Sequence, residues 1–180
     1  EGADLSGANL EGVKFQGANF EKAKMANIIL SKANLEGANL KFADLSGAEL
    51  KKVTLFNANL RYASFEGANL KKANLEDANF VLANLRGANL SGTNLSGADL
   101  QGADLTKANL EDAELTAANL GGAELADANL TDANLIGANL EDADLTNAIL
   151  EDADLTDANL KDVNFEDAKV KGANLTEAKL

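Results

Sequence analysis

The chain contains no histidine, no cysteine, no tryptophan and no proline. Without histidine there is no imidazole for acid–base catalysis near neutral pH. Without cysteine there is no thiolate nucleophile, no Cys/His zinc site and no disulfide framework, and the redox compartment stays open. Without proline, no backbone N–H is lost from a hydrogen-bonded ladder. Aromatic residues are only 4% of the chain, so the core that 46% apolar residues can build must be aliphatic. No apolar run approaches the roughly 18–20 residues of a membrane span, and no membrane insertion is expected. No signal peptide is visible and the first residue is not Met, which fits a processed or excised segment. At 180 residues, one domain over 1–180 is expected.

The charge is acidic and uneven. Sixteen basic against 29 acidic side chains give −13 overall. Residues 1–90 carry 11 basic and 10 acidic groups, and residues 91–180 carry 5 and 19. A chain this negative repels nucleic acid as a whole, so direct nucleic-acid binding is not expected.

What is present in abundance is a repeat of five. In blocks ending at 5, 10, 15 and so on, the last place is Leu in 29 of 36 blocks. The exceptions are Phe15, Phe20, Met25, Phe65, Phe80, Phe165 and Val170. The third place is Ala in 31 of 36, and the fourth is Asn or Asp in 25 of 36. The register never slips.

Five fits neither regular period. On a helix successive leucines would step by about 140° and spiral round the axis. On a straight strand they would alternate faces. A chain that keeps every Leu inside must therefore turn once per block. Ala and Leu, two apart, share one side of a short extended piece, and the Asn or Asp between them faces outward. The turn falls in the first two places. The second is Gly, Asp or Asn in 26 of 36 blocks, the residues that tolerate left-handed geometry. The Asn/Asp column is expected to serve backbone groups at the turns and to hydrogen-bond between coils.

Three blocks per coil would give a 15-residue coil and four a 20-residue coil. Lys51-Lys52 and Lys71-Lys72 recur after 20 residues, as do Phe42, Tyr62 and Leu82. The acidic residues fit both spacings. Four sides are favoured, giving about nine coils and a rod roughly 40 Å long.

Runs such as Ala3-Asp4-Leu5-Ser6-Gly7-Ala8-Asn9-Leu10 resemble the pentapeptide-repeat family, and the resemblance covers the whole chain. It implies an all-β fold, a right-handed quadrilateral parallel β-helix with Leu or Phe at the centre and Ala at the smaller inward place. It also implies a choice of roles, because the best-understood members are acidic rods that mimic duplex DNA and bind type II topoisomerases. Here Leu dominates where those members use Phe more often, and no loop interrupts the repeat.

Two outward features stand apart. The first is an apolar series, Phe42, Tyr62 and Leu82, with Lys41 and Arg61 preceding two of its members and Phe56 one corner earlier. An exposed apolar stripe flanked by cations marks an interaction site, unless it only shields a corner. The second is an acidic ladder of Asp112, Asp132 and Asp152, with Glu111, Glu151, Glu114 and Asp154 on the same side. Lys51, Lys52, Lys71 and Lys72 stack on that side too, so it runs from positive to negative. The ladder reads as a solvated face, as a surface resembling a phosphate backbone, or as a calcium site. Paired carboxylates on a flat outer face lack the desolvating cleft that catalysis needs, so an enzyme is not expected. No cofactor is implied.

The functional expectation is a non-catalytic, rigid surface for an unidentified protein partner. A DNA-mimicking acidic rod and a structural spacer are the alternatives. The open ends of such a rod also make end-to-end or homodimeric self-association an expectation.

Overall fold

The computed structural model describes residues 2–180. Every β-bridge is parallel and joins residues twenty apart, from Asp4 with Lys24 to Asn159 with Lys179. One bridge falls in each block, at its fourth place, so each coil has four sides. The described part of coil 1 is residues 2–20, coil 2 is 21–40, and so on to coil 9 at 161–180. The corners lie at residues 1–2, 6–7, 11–12 and 16–17 of each coil, so the first and third corners are diagonal.

The expected short strands are shorter still: each side is reduced to one bridged residue with a turn on either side. The block Ser96–Leu100 accounts for its own backbone. Gly97 N–H donates to Thr116 C=O at 3.0 Å and Leu100 N–H to Asn119 C=O at 2.7 Å, both in the next coil. Asp99 N–H donates back to Ala78 C=O at 3.0 Å. Ala98 N–H closes the turn onto Leu95 C=O at 3.0 Å. The fifth donor, Ser96 N–H, goes to the side-chain Oδ1 of Asn94 at 3.1 Å. All five donors are therefore satisfied, as burial of a backbone requires.

That fifth bond explains the Asn/Asp column. From Asp4 to Asn174, each fourth-place Asn or Asp accepts the N–H two residues on. At several places where Asn follows Asn down a column, the amides also link coils. Asn159 donates to Asn139 at 2.8 Å, and Asn139 donates to Asn119 at 3.0 Å.

The turn itself is of type II, with its third residue at positive φ. Every second-place residue, glycine or not, lies between +55° and +76°. Asn and Asp tolerate this region. For Phe42, Tyr62, Leu82 and the lysines at 32, 52 and 72 it costs about 1–2 kcal/mol each. The stacked neighbours impose the corner on whatever residue stands there.

The interior is continuous from Ala23 to Leu160, with nearly every third- and fifth-place residue fully buried. Each such Leu contributes roughly 1.5–3 kcal/mol. Phe65 and Phe80 fill the centre side by side, their ring centroids 5.6 Å apart. Thr93 replaces Ala inside and satisfies its hydroxyl by donating to Leu90 C=O at 2.7 Å. In coil 1, Phe15 and Phe20 meet edge to face and are only half-buried.

Candidate functional site

Apart from an apolar hollow of about 230 Å³ among Leu155, Leu160, Phe165 and Leu175 at the last coils, the rod's distinctive chemistry lies on two diagonal corners. On the first, a coil spacing of about 4.8 Å brings Phe42 over Tyr62. Their rings stack with centroids 4.9 Å apart and an angle of 13° between planes. Lys41 Nζ sits 5.1 Å from the Phe42 centroid, and Arg61 Cζ sits 5.5 Å from that of Tyr62. Both are cation–π distances. Phe42, Tyr62 and Leu82 are 45%, 40% and 52% exposed, a large share for apolar side chains of this size. Val81, beside Leu82, is buried.

Below Leu82 the same corner keeps only the Gln101 side chain over the next two coils. Gly102, Gly121 and Gly122 leave a surface hollow of about 330 Å³ against Val81 and Leu82. Leu82 leans across it, since a Cβ on Gly102 would meet Leu82 Cδ2 at 2.9 Å. Glu141 and Asp142 stand on the far side of the glycines. Sequence reading missed this shelf. Reading the corner down its 20-residue column finds it, because Gly102 and Gly122 follow Leu82 directly.

Phe56 does not join this surface. It stands half-buried on the 16–17 corner, and no ring contact links it to Phe42 or Tyr62 among the described residues. One corner of separation is a whole side of the prism, which a side chain does not span.

The diagonal corner holds the charges. Lys51, Lys52, Lys71 and Lys72 are exposed there, and Lys32 completes the column at coil 2. Lys51 reaches Glu49 at 3.3 Å, and Lys32 reaches Glu11 at 2.8 Å. The Glu11 carboxylate lifts the Lys32 ammonium above its ordinary pKa, and Lys32 lowers Glu11 in turn. Lys52, Lys71 and Lys72 form no ion pair among the described residues. Ser91 and Gly92 then open a notch of about 270 Å³ between Lys71-Lys72 and Glu111-Asp112.

Past that notch Asp112, Asp132 and Asp152 line up as exposed carboxylates on consecutive coils, with Glu111 and Glu151 beside them. Glu114 and Asp154 lie in the next column and are partly occupied. Glu114 accepts from Asn134 at 2.9 Å. The Thr156 hydroxyl and N–H hold the Asp154 carboxyl below its ordinary value, aided by the Asn174 amide. Among the described residues no group of three or more Asp or Glu is placed to hold a metal ion. No helix is long and apolar enough to cross a membrane.

A rod with a near-uniform aliphatic interior and varied corners is a repeat solenoid. The pentapeptide-repeat profile matches in eight copies over residues 1–31, 22–55, 48–87, 83–122, 123–162 and 158–180, and the chain belongs to the pentapeptide-repeat family. The fold is the right-handed quadrilateral β-helix that the sequence implied. One similar structure is HetL, a pentapeptide repeat protein involved in heterocyst differentiation regulation from the cyanobacterium Nostoc sp. strain PCC 7120. It is 37% identical, matching 98% of this chain and 89% of its own, with a TM-score of 0.60. QnrB1, a plasmid-mediated fluoroquinolone resistance protein, is 18% identical over 96% of this chain and 93% of its own, with a TM-score of 0.79, and shares the fold. No curated protein matches the sequence.

Proposed function

We propose that this chain is a non-catalytic rigid rod, one domain over residues 1–180, that binds a protein partner through the Phe42–Tyr62–Leu82 corner. The observation that carries this reading is the stacked, exposed Phe42–Tyr62 pair at positive φ. Three bulky apolar residues occupy places where glycine would be easier, and they do so on consecutive coils. The interior gains nothing from them. Lys41 and Arg61 bracket the rings and favour a partner with carboxylates around an apolar side chain. The Gly102–Gly121–Gly122 shelf gives that side chain a seat. The regulatory role of HetL, which is 37% identical, fits a rod that works by contact.

The test is capture of partners from a native extract by the wild-type chain and by the triple variant Phe42→Gly, Tyr62→Gly, Leu82→Gly. Glycine suits the corner backbone, so the variant should stay folded. Proteins retained by the wild type should be lost. Unchanged capture by the folded variant removes the reading.

DNA mimicry is a second reading, favoured by the regular Asp112, Asp132 and Asp152 column. It is the weaker one, because the sign of the charge reverses at Gly92 and leaves only three coils of carboxylates there. Supercoiling by a type II topoisomerase, unaffected by micromolar chain, would eliminate it.

A further inference from the structure

Read down the rod, the second place of the charged corner runs Gly, Lys, Lys, Lys, Gly, Asp, Asp, Asp, Gly over the nine coils. The order is inverted in charge about its midpoint, Gly92. Like charges are neighbours at about 4.8 Å, which is unfavourable within one chain. Lys72 and Asp112 are two coils apart, about 10 Å, too far to neutralise each other directly. What would satisfy both halves at once is a second rod with the same spacing and the opposite direction.

We propose that this corner is the contact surface of an antiparallel homodimer, with a two-fold axis passing beside Gly92. Such an axis lies between the rods and perpendicular to both, so each column faces itself in reverse. Lys32 then meets Asp152, Lys52 meets Asp132, and Lys72 meets Asp112. Each pair occurs twice. Gly92 faces Gly92, where the notch beside Ser91 lets the rods approach.

The neighbouring columns agree. In the first place of the same corner, Lys71 falls opposite Glu111, and Glu11 opposite Lys171. In the column before it, Ile29 and Ile149, the two apolar residues among its outward amides and charges, fall opposite each other, and both are half-buried in one chain. Neither these columns nor the one after the corner sets two like charges face to face. The diagonal corner lacks the property, because the same operation there opposes Glu21 to Glu141. The Phe42–Tyr62 surface lies away from this contact, so the dimer would present two copies of it outward. The inference does not depend on that surface having a partner.

The test uses the full chain and two triple variants, Lys32→Asp/Lys52→Asp/Lys72→Asp and Asp112→Lys/Asp132→Lys/Asp152→Lys. Mass is read by sedimentation or light scattering, and folding by circular dichroism. The wild type is expected to dimerise at tens of micromolar in low salt. Its dissociation constant should rise at least about tenfold on going to about 0.5 M salt, where the screening length falls to a few ångströms. Each variant alone faces like charge with like and should be monomeric. An equimolar mixture should form a one-to-one heterodimer tighter than the wild-type dimer. A monomeric wild type in low salt overturns the proposal. So does a dimer that survives in either variant, as an end-to-end contact would, or a mixture of folded variants that stays monomeric.

Discussion

Leu85 and Leu82 are the same side chain on the same coil, and they answer to opposite rules. Leu85 is fully buried in the central column, while Leu82 is 52% exposed at a corner with φ of +57°. The interior is alike from coil to coil, because every coil must fill the same square cross-section. The corners change from coil to coil, because the stacked backbone fixes their shape whatever they carry. The difference teaches that folding information repeats every five residues, and surface information has to be read every twenty.

The largest effect should come from breaking the uniform side. Leu85→Ala removes a filling group from a closed lattice and should cost about 2–5 kcal/mol in denaturant unfolding. Leu85→Asp should prevent folding of its neighbouring coils, since no partner is available for the buried charge. A loss below about 1 kcal/mol for the alanine variant would mean that the central column is not close-packed.

A smaller loss is expected midway between inside and outside. Asn139 accepts Glu141 N–H at 3.3 Å and the Asn159 amide at 2.8 Å, and it donates to Asn119 at 3.0 Å. Asn139→Ala frees a turn donor and cuts the amide ladder on both sides. The partly exposed donor can turn to water, so the cost should be about 1–2 kcal/mol, measured by the same unfolding midpoint. A cost equal to that of Leu85→Ala would erase the distinction between filling and fastening.

The interior rule was legible in the sequence because it is a hard constraint repeated at each block. Ala at the third place, Leu at the fifth and Asn or Asp at the fourth each had one physical job. The substitutions obeyed it too: Met25, Ile28 and Phe80 are fully buried. The 20-residue coil was legible from the recurrence of Phe42, Tyr62 and Leu82. That Phe56 sits one corner earlier was legible too, but that the intervening side keeps it out of the stack was not, because the sequence carries no lateral distance. Nor was the glycine shelf evident, since glycine at the second place reads as turn chemistry everywhere. At Gly102 and Gly122 its consequence is a gap beside a bulky neighbour, which appears only once coils are stacked. In doublets the lysine column spans two coils rather than three, because Lys32 follows Ser31 rather than another Lys.

The smallest effect, and the sharpest contrast, should come from Leu82→Gly. Three contributions of similar size are set against one another. Glycine keeps the positive φ of this corner without the Cβ clash, which relieves about 1–2 kcal/mol. Glycine gives back about 0.5–1 kcal/mol through the freedom of the unfolded chain. Leu82 is half exposed, so truncation forfeits about half of the 1.5–3 kcal/mol that a fully buried Leu contributes. The sum lies within about 1.5 kcal/mol of zero, against a loss of about 2–5 kcal/mol at Leu85. Paired unfolding curves for the two variants measure this directly. If Leu82→Gly proved as damaging as Leu85→Ala, the corner would be part of the packed structure, and its apolar residues would need no partner to explain them.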